Sequence, residues 1–111
     1  MMLLTKANRA ALPLLYSQEG VPEGDKMIYV AYFHPCSDWS CLAAEFDGDN
    51  EFFGFTHSAF DEWGYFFLSD LEGYRDSRFG LPIERDMHFR PRTFREVLAT
   101  YGKNHGWRHQ L

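Results

Sequence analysis

Residues 39–57 read WSCLAAEFDGDNEFFGFTH, two apolar and aromatic segments separated by Asp47-Gly-Asp-Asn50. Both segments are rich in residues that favour strands, and glycine and asparagine favour a tight turn between them. The stretch therefore predicts a β-hairpin, and its two strands are WSCLAAEFD (39–47) and EFFGFTH (51–57).

Further strands flank this hairpin on both sides. KMIYVAYFH (26–34) precedes it across a turn at 35–38, and WGYFFLS (63–69) follows it after the loop SAFDE (58–62). Short connections favour antiparallel neighbours, because parallel strands require long crossovers. These segments predict a four-stranded antiparallel meander, and GLPIERDMHF (80–89) is a further strand or extended segment.

Two helices are predicted before and after the meander. Thr5 is placed to cap KANRAAL, and Pro13 limits that helix because it disfavours helical backbone in the residue before it. Ser69 and Glu72 have the spacing of a capping box, in which each side chain satisfies a backbone donor of the other residue. A middle helix should therefore begin at Ser69 and run to about Tyr74.

A second capping-box pattern, Thr93 to Glu96, predicts a C-terminal helix of about two turns to Tyr101 that Gly102 can end. The remaining residues, 102–111, read as a polar, basic tail. The fold class that follows is α+β: a single domain over 1–111 with a four- to five-stranded antiparallel meander and three short helices, which we expect on one face of the sheet.

Composition excludes several classes of protein. Apolar residues make up 45% of the 111 and aromatic residues 18%, which argues against disorder. No apolar run approaches the roughly 20 residues of a membrane-spanning helix, and Lys6 and Arg9 follow the first apolar residues, unlike a secretory signal. Two cysteines are too few for a disulfide scaffold. We expect a cytoplasmic protein without a membrane partner.

Charge is distributed unevenly along the chain. The net charge is −5, yet the segment from Met27 to Tyr74 contains no lysine or arginine. Its nine acidic residues are Asp38, Glu45, Asp47, Asp49, Glu51, Asp61, Glu62, Asp70 and Glu72. Basic residues outnumber acidic ones from Arg75 onward. A long stretch without cations indicates a strongly negative surface.

The stretch HPCSDWSC (34–41) contains both cysteines. If it forms a hairpin turn, Tyr32 lies opposite Cys41 and Cys36 stays in the turn, a geometry that does not suit a disulfide. A zinc site would have to recruit another ligand, such as His57, from a different strand. We interpret the stretch as a turn with two free thiols, and a metal or redox site is the less favoured alternative.

The segment IERDMHF places Glu84 and Asp86 on one face of an extended chain and Arg85 on the other. The favoured interpretation is a structural ion-pair set that joins this segment to the meander; its members are Glu45, Glu84, Arg85 and Asp86. The alternative is a metal-dependent hydrolase or nuclease, and its candidate residues are Glu45, Asp47, Glu84 and Asp86, with His88 as a further one. Common nucleophile, phosphate-binding and zinc-protease motifs are absent, so no catalytic residue, metal ligand or cofactor is assigned.

Acidic and aromatic residues are interleaved along the third and fourth predicted strands and the segments next to them. Exposed aromatics anchor protein partners, whereas carboxylates repel phosphate backbones, so the preferred partner is a protein with a basic surface. The candidate partner-binding residues are Asp47, Asp49, Glu51, Asp61, Glu62, Trp63, Asp70 and Glu72. Two alternatives remain open: the aromatics form a core beneath a solvated acidic face, or DNA binds the basic residues Arg90, Arg92, Arg95, Lys103 and Arg108. The chain is a monomer or a homodimer.

The segments LLTKANRAALPLLY, FHPCSDWSC, EFDGDNEFFGF, EWGYFFLSDLE and GLPIERDMHF followed by Pro91 together resemble a family of small bacterial proteins of unknown function. That family occurs on plasmids, integrative elements and phage-related regions, and the resemblance covers residues 3–97. At the position of Cys41 the family is usually aromatic, and at that of Trp63 usually aliphatic. The resemblance carries over no catalytic residue. It implies an accessory protein of a mobile element, such as an inhibitor of restriction or CRISPR systems.

Overall fold

A computed structural model describes all residues, 1–111, and contains a five-stranded antiparallel sheet, a two-stranded sheet and three short α-helices. In chain order the elements are α1 Lys6–Ala11, β1 Met27–Ile28, β2 Val30–Phe33, β3 Ser40–Phe46, β4 Glu51–His57, β5 Glu62–Phe67, α2 Leu68–Gly73, β6 Glu84–Arg85, β7 Arg92–Thr93 and α3 Phe94–Val97. The α+β prediction is confirmed. None of the helices has the length and apolar character needed to cross a membrane.

The large sheet has the order β5-β4-β3-β2-β6, so its first four strands form the predicted meander. The predicted register is also correct, because Tyr32 lies opposite Cys41. The predicted strand 26–34 is divided in two at Tyr29. Before that residue β1 pairs with β7, and after it β2 pairs with β3 and β6.

Both faces of the large sheet are covered, and β3 is buried along its whole length. One face carries Tyr32 and Cys41 and packs against Leu71 of α2. The opposite face carries Leu42 and packs against Phe94 of α3. The expectation that all helices lie on one face is therefore wrong. A nearly continuous apolar strand such as SCLAAEF is typical of burial on both sides.

Side-chain caps fix the beginnings of α1 and α3 as predicted. Thr5 Oγ1 accepts the N–H of Asn8 at 3.0 Å, and Asn8 Oδ1 accepts the N–H of Thr5 at 2.9 Å. Thr93 Oγ1 accepts the N–H of Glu96 at 3.3 Å, and the side chain of Glu96 completes that capping box. These local contacts satisfy donors that the first helical turn leaves free.

The predicted capping box at Ser69 does not form, because α2 already begins at Leu68. Asn50, in the turn between β3 and β4, satisfies the helix start instead. Its carbonyl oxygen accepts the N–H of Leu68 at 2.8 Å, and its Oδ1 accepts the N–H of Ser69 at 2.9 Å. A residue distant in sequence therefore caps α2 and ties it to the hairpin.

The C-terminal helix passes through Gly102, which does not end it. α3 continues as a π-helix over Leu98–Gly102 and the chain turns at Gly106, whose φ of 74° suits glycine. The segment after it is no free tail: Trp107 packs closely on Gly102 and stacks on His57 with ring centroids 4.6 Å apart. The end of the chain thus covers part of the second sheet face.

Candidate protein-binding surface

The exposed edge of the large sheet is β5, which pairs only with β4. Helix α2 follows it directly, and we call residues 62–74 the β5–α2 surface. Tyr65 is 50% exposed, Phe67 40% and Tyr74 47%. An edge strand also leaves backbone N–H and C=O groups unpaired, so this surface offers both apolar area and hydrogen-bonding groups to a partner.

Exposed carboxylates accompany these aromatics. Glu62, Asp70 and Glu72 lie on the β5–α2 surface, and Asp49 is exposed in the β3–β4 turn. None of the four ion pairs in the protein joins a lysine or arginine to an acidic residue between Met27 and Tyr74. The charges of these side chains are therefore not neutralised by cations in direct contact.

The basic residues that approach this region bind backbone oxygens instead. Arg9 Nη1 lies 3.4 Å from the carbonyl oxygen of Gly48, and Arg75 Nη1 donates to the carbonyl oxygens of Glu72 and Tyr74. Both guanidinium groups reduce the local negative potential without pairing with a carboxylate. The acidic character of the surface is lowered at these two points.

Three of the predicted partner-binding residues stabilise the fold. Asp47 Oδ1 accepts the N–H groups of Asp49, Asn50 and Glu51, so it caps the β3–β4 turn. These bonds, the one from Asp49 first among them, lower the pKa of Asp47 below its ordinary value. The other two are Asp61 and Trp63.

Asp61 Oδ1 lies 2.8 Å from His57 Nδ1, and the two groups form an ion pair when the imidazole is protonated. Trp63 points to the second sheet face, where its Nε1 donates to Glu23 Oε2 at 2.7 Å and its ring packs on Phe55. Trp63 is therefore a packing residue, and Asp61 connects its loop to His57.

The acidic residues also lie in two separate groups. Glu51 begins β4 and His57 ends it, and seven strand residues span about 20 Å. Asp47 and Asp49 therefore lie at one end of the hairpin, and Asp61 and Glu62 at the other. The β5–α2 surface connects the two groups.

The expected ion pair between Glu45 and Arg85 does not form. Glu45 is 2% exposed, and its two carboxylate oxygens accept the N–H groups of Tyr16 and Gln18, each at 2.7 Å. Arg85 Nε donates to the carbonyl oxygen of Met2 at 3.1 Å. The loop before β1 carries backbone donors that the sheet does not satisfy, and Glu45 satisfies two of them.

The carboxylates of the hydrolase alternative do not converge. Glu84 lies opposite Phe33, which lies opposite Ser40, at the far end of β3 from Glu45. Five strand residues separate these positions by about 16 Å. Asp86 accepts the N–H of His88 in its own turn. No group of three or more histidine, cysteine, aspartate or glutamate side chains is placed to hold a metal ion.

Cys36 and Cys41 are both free thiols, the first exposed and the second buried. Burial raises the pKa of Cys41 to about 12, and its Sγ lies 3.4 Å from Thr56 Oγ1. A thiol with so high a pKa is a poor nucleophile at neutral pH. Cys41 is therefore a packing residue of the sheet.

His34 fastens the β2–β3 turn to the loop after α2. Its Nδ1 accepts the N–H of Cys36 at 3.2 Å, and its Nε2 lies 3.3 Å from both Asp76 Oδ2 and the carbonyl oxygen of Leu81. The backbone N–H of Phe79, followed by that of Leu81, lowers the pKa of Asp76. No local sequence pattern relates residues so far apart, so this contact was not predictable from the sequence.

A cavity of about 350 Å³ opens between the first sheet face and α2. Its lining residues include Trp39, Phe66, Asp70, Leu71, Tyr74 and Ile83. Aromatic and aliphatic groups form its walls, and Asp70 is exposed. The sequence carried no signal for this cavity, since three strands, α2 and the segments between elements all contribute to its walls.

Two of the five basic residues of the DNA-binding alternative, Arg92 and Arg95, make side-chain contacts within the protein. Arg92 Nη1 donates to the carbonyl oxygen of Arg90 at 3.0 Å, and its guanidinium lies 4.5 Å from the ring centroid of Phe89. Arg95 Nη2 lies 3.9 Å from Asp25 Oδ1. These two side chains are partly engaged and are therefore less available to a DNA phosphate.

Comparison with known proteins gives one match, to a protein family, and that match covers residues 3–106. No curated protein and no solved structure matches the chain. The family match extends over both sheets and all three helices, and it agrees with the expectation of a family of unknown function. The chain belongs to the family described as Protein of unknown function (DUF2958).

Proposed function

We propose that this chain is a non-catalytic interaction protein that binds a basic, nucleic-acid-binding surface of a partner protein. The finer proposal is that it inhibits a restriction or CRISPR nuclease on behalf of a mobile genetic element. Its candidate binding residues are those on or next to the β5–α2 surface. They are Asp49, Glu51, Glu62, Asp70 and Glu72.

One observation carries this proposal: no lysine or arginine pairs with any carboxylate between Met27 and Tyr74. Carboxylates that are exposed and unpaired keep their full charge for a partner. Opposite charge on that partner would increase its rate of association and select it over acidic proteins. DNA and RNA are disfavoured at the same surface, because their phosphates would be repelled.

The exposed aromatics support a protein partner over a simple charged solute. Tyr65 and Phe67 lie on the edge strand, and Tyr74 follows α2. Aromatic residues supply much of the binding energy at protein interfaces, whereas exposed charges mainly set specificity and association rate. An interface that combines aromatic and acidic side chains would bind a channel lined by arginine and lysine.

The experiment uses two variants with the same change in net charge. In the first, Glu62→Lys and Asp70→Lys reverse two exposed carboxylates of the surface. In the second, lysines replace four exposed neutral residues elsewhere: Ala10, Ser77, Asn104 and Gln110. Phage plating is measured in cells that carry one restriction or CRISPR system at a time and express the wild-type chain or a variant.

We expect the wild-type chain to raise plating in cells with a susceptible system and the second variant to keep that effect. The first variant should lose it while folding normally by circular dichroism. Inhibition that survives the reversal of Glu62 and Asp70 would contradict binding through this surface.

A further inference from the structure

The cavity beside α2 combines aromatic walls with negative charge at its opening. Trp39, Phe66 and Tyr74 contribute rings, Leu71 and Ile83 contribute aliphatic groups, and Asp70 contributes a carboxylate. At about 350 Å³ it lies within the range of pockets that take a small ligand or one long side chain. These walls would favour a ligand with an apolar body, and the carboxylate would favour a positively charged group at one end of that ligand.

A second carboxylate reaches the same face of the sheet. Glu62 lies opposite Thr56, which itself lines the cavity and lies opposite Cys41 on the first face. Because opposed residues of neighbouring strands point to the same side, Glu62 projects toward this face. Glu62 and Asp70 are both exposed and form no ion pair.

No lysine or arginine lines the cavity. Its one basic side chain is His34, which is 5% exposed and whose two ring nitrogens already contact Cys36, Asp76 and Leu81. The ring of His34 therefore has no free nitrogen for a ligand. An anionic ligand would find carboxylates and no cationic partner, so the cavity selects against it.

We propose that this cavity is a socket for one arginine side chain of the basic partner. The aliphatic stem would lie against Leu71 and Ile83, the planar guanidinium would stack on Trp39 or Tyr74, and Asp70 would accept its hydrogen bonds. Arginine fits better than lysine, because its planar group stacks on rings and forms paired hydrogen bonds with a carboxylate. This inference rests on the function proposed above and adds to it the anchor of the interface.

The test uses three short peptides with the wild-type chain: acetyl-Gly-Arg-Gly-amide, its citrulline analogue and its norleucine analogue. Citrulline keeps the shape of arginine without the charge, and norleucine keeps only the apolar stem. Binding is followed by NMR at the indole of Trp39 and the methyl groups of Leu71 and Ile83. We expect saturable shifts at these groups, with the arginine peptide binding about tenfold more tightly than either analogue.

Two variants test the assigned residues without touching the buried core. Asp70→Asn removes the charge at an exposed position and should lower the affinity for the arginine peptide by about threefold to tenfold. Glu19→Gln, at an exposed position in the loop before β1 and outside the proposed binding residues, is the control and should leave the affinity for the short peptide unchanged.

Failure of this inference is distinguishable from failure of the proposed function. Equal binding of the norleucine or citrulline peptide would make the cavity an apolar site and overturn the socket. Absence of shifts at Trp39 would overturn it too, and if an oligo-arginine peptide still bound at Asp49 and Glu51, the proposed function would survive. Loss of binding even to oligo-arginine would overturn both.

Discussion

Replacing Glu45 by alanine should destabilise the protein more than any surface change of equal charge. Its carboxylate accepts two N–H groups, from Tyr16 and Gln18, at 2.7 Å each, and both Glu45 and Gln18 are buried. Hydrogen bonds to a charged group contribute about 1.5 to 3 kcal/mol each, so losing both costs about 3 to 6 kcal/mol. For a chain of this length, the unfolding midpoint should fall by about 13 to 26 °C.

Glu45→Gln should be intermediate, because the amide keeps one acceptor oxygen but presents an N–H group to the second donor. The expected loss is about 2 kcal/mol. Thermal and urea unfolding by circular dichroism measure these differences. Asp49→Ala removes an exposed carboxylate near the same strand and serves as the control, with an expected change within about 0.5 kcal/mol.

The loop over Glu45 gives a second, local measure. Tyr16 has a φ of 72°, a backbone conformation that costs free energy in a residue other than glycine. The carboxylate of Glu45 accepts the N–H of this residue and so stabilises that conformation. Amide hydrogen exchange at Tyr16 and Gln18 should therefore accelerate in Glu45→Ala before global unfolding. A Glu45→Ala protein as stable as Asp49→Ala, with loop amides that exchange at the wild-type rate, would refute this role of Glu45.

Four further predictions concern the fold. Gly54→Ala should strongly destabilise the protein, because a Cβ there would overlap the backbone oxygen of Leu42. Gly64→Ala on the neighbouring strand is the control, because a Cβ there has no atom within 4 Å. Urea unfolding measures the difference in stability between the two variants. Asn50→Ala should cost about 1 to 2 kcal/mol, because the N–H of Ser69 loses its side-chain acceptor while the backbone oxygen of residue 50 still accepts the N–H of Leu68; calorimetry should show it. Cys36 should react with a thiol reagent at once and Cys41 only on unfolding, since burial raises the pKa of Cys41 to about 12. The pKa of Asp76 is lowered below 3.8 in the folded protein. The ionised carboxylate therefore stabilises the fold above pH 3.8, and this stabilisation is lost as the pH falls through the pKa of the folded protein. Asp76→Asn should be less stable than wild type near neutral pH, and the difference should disappear in acid.

Local patterns predicted much of the fold. The two segments around Asp47 to Asn50 carry their own turn, and Thr5 and Thr93 cap helices through residues three positions away. The strand order followed from short connections. Each of these features depends on near neighbours in sequence, so the residues themselves were sufficient.

Contacts between distant segments were not predictable in this way. Ser69 has the residue pattern of a capping box, but Asn50 reaches the same N–H group from another turn. Glu45 had an obvious basic candidate in Arg85, but the loop at Tyr16 lies nearer and uses both of its oxygens. Local propensity cannot rank such competitors, because the tertiary arrangement decides which partner is within reach.

The candidate surface was predicted in part. Charge counting identified the acidic stretch, since that property needs no structure. It did not separate exposed Asp70 from Asp61, which faces His57, or show that Trp63 packs on the second sheet face. Orientation depends on strand register and loop closure, and the cavity beside α2 depends on both.

The most direct test of the central claim is the affinity for an oligo-arginine peptide, measured by isothermal titration at low and moderate salt. The surface reversal, Glu62→Lys with Asp70→Lys, should weaken binding about tenfold, because it removes two unpaired carboxylates and adds two cations. The variant with four lysines at Ala10, Ser77, Asn104 and Gln110 has the same net charge and should weaken it by less than about twofold. Equal losses in the two variants would show that net charge alone attracts the peptide, and would contradict a binding surface at β5 and α2.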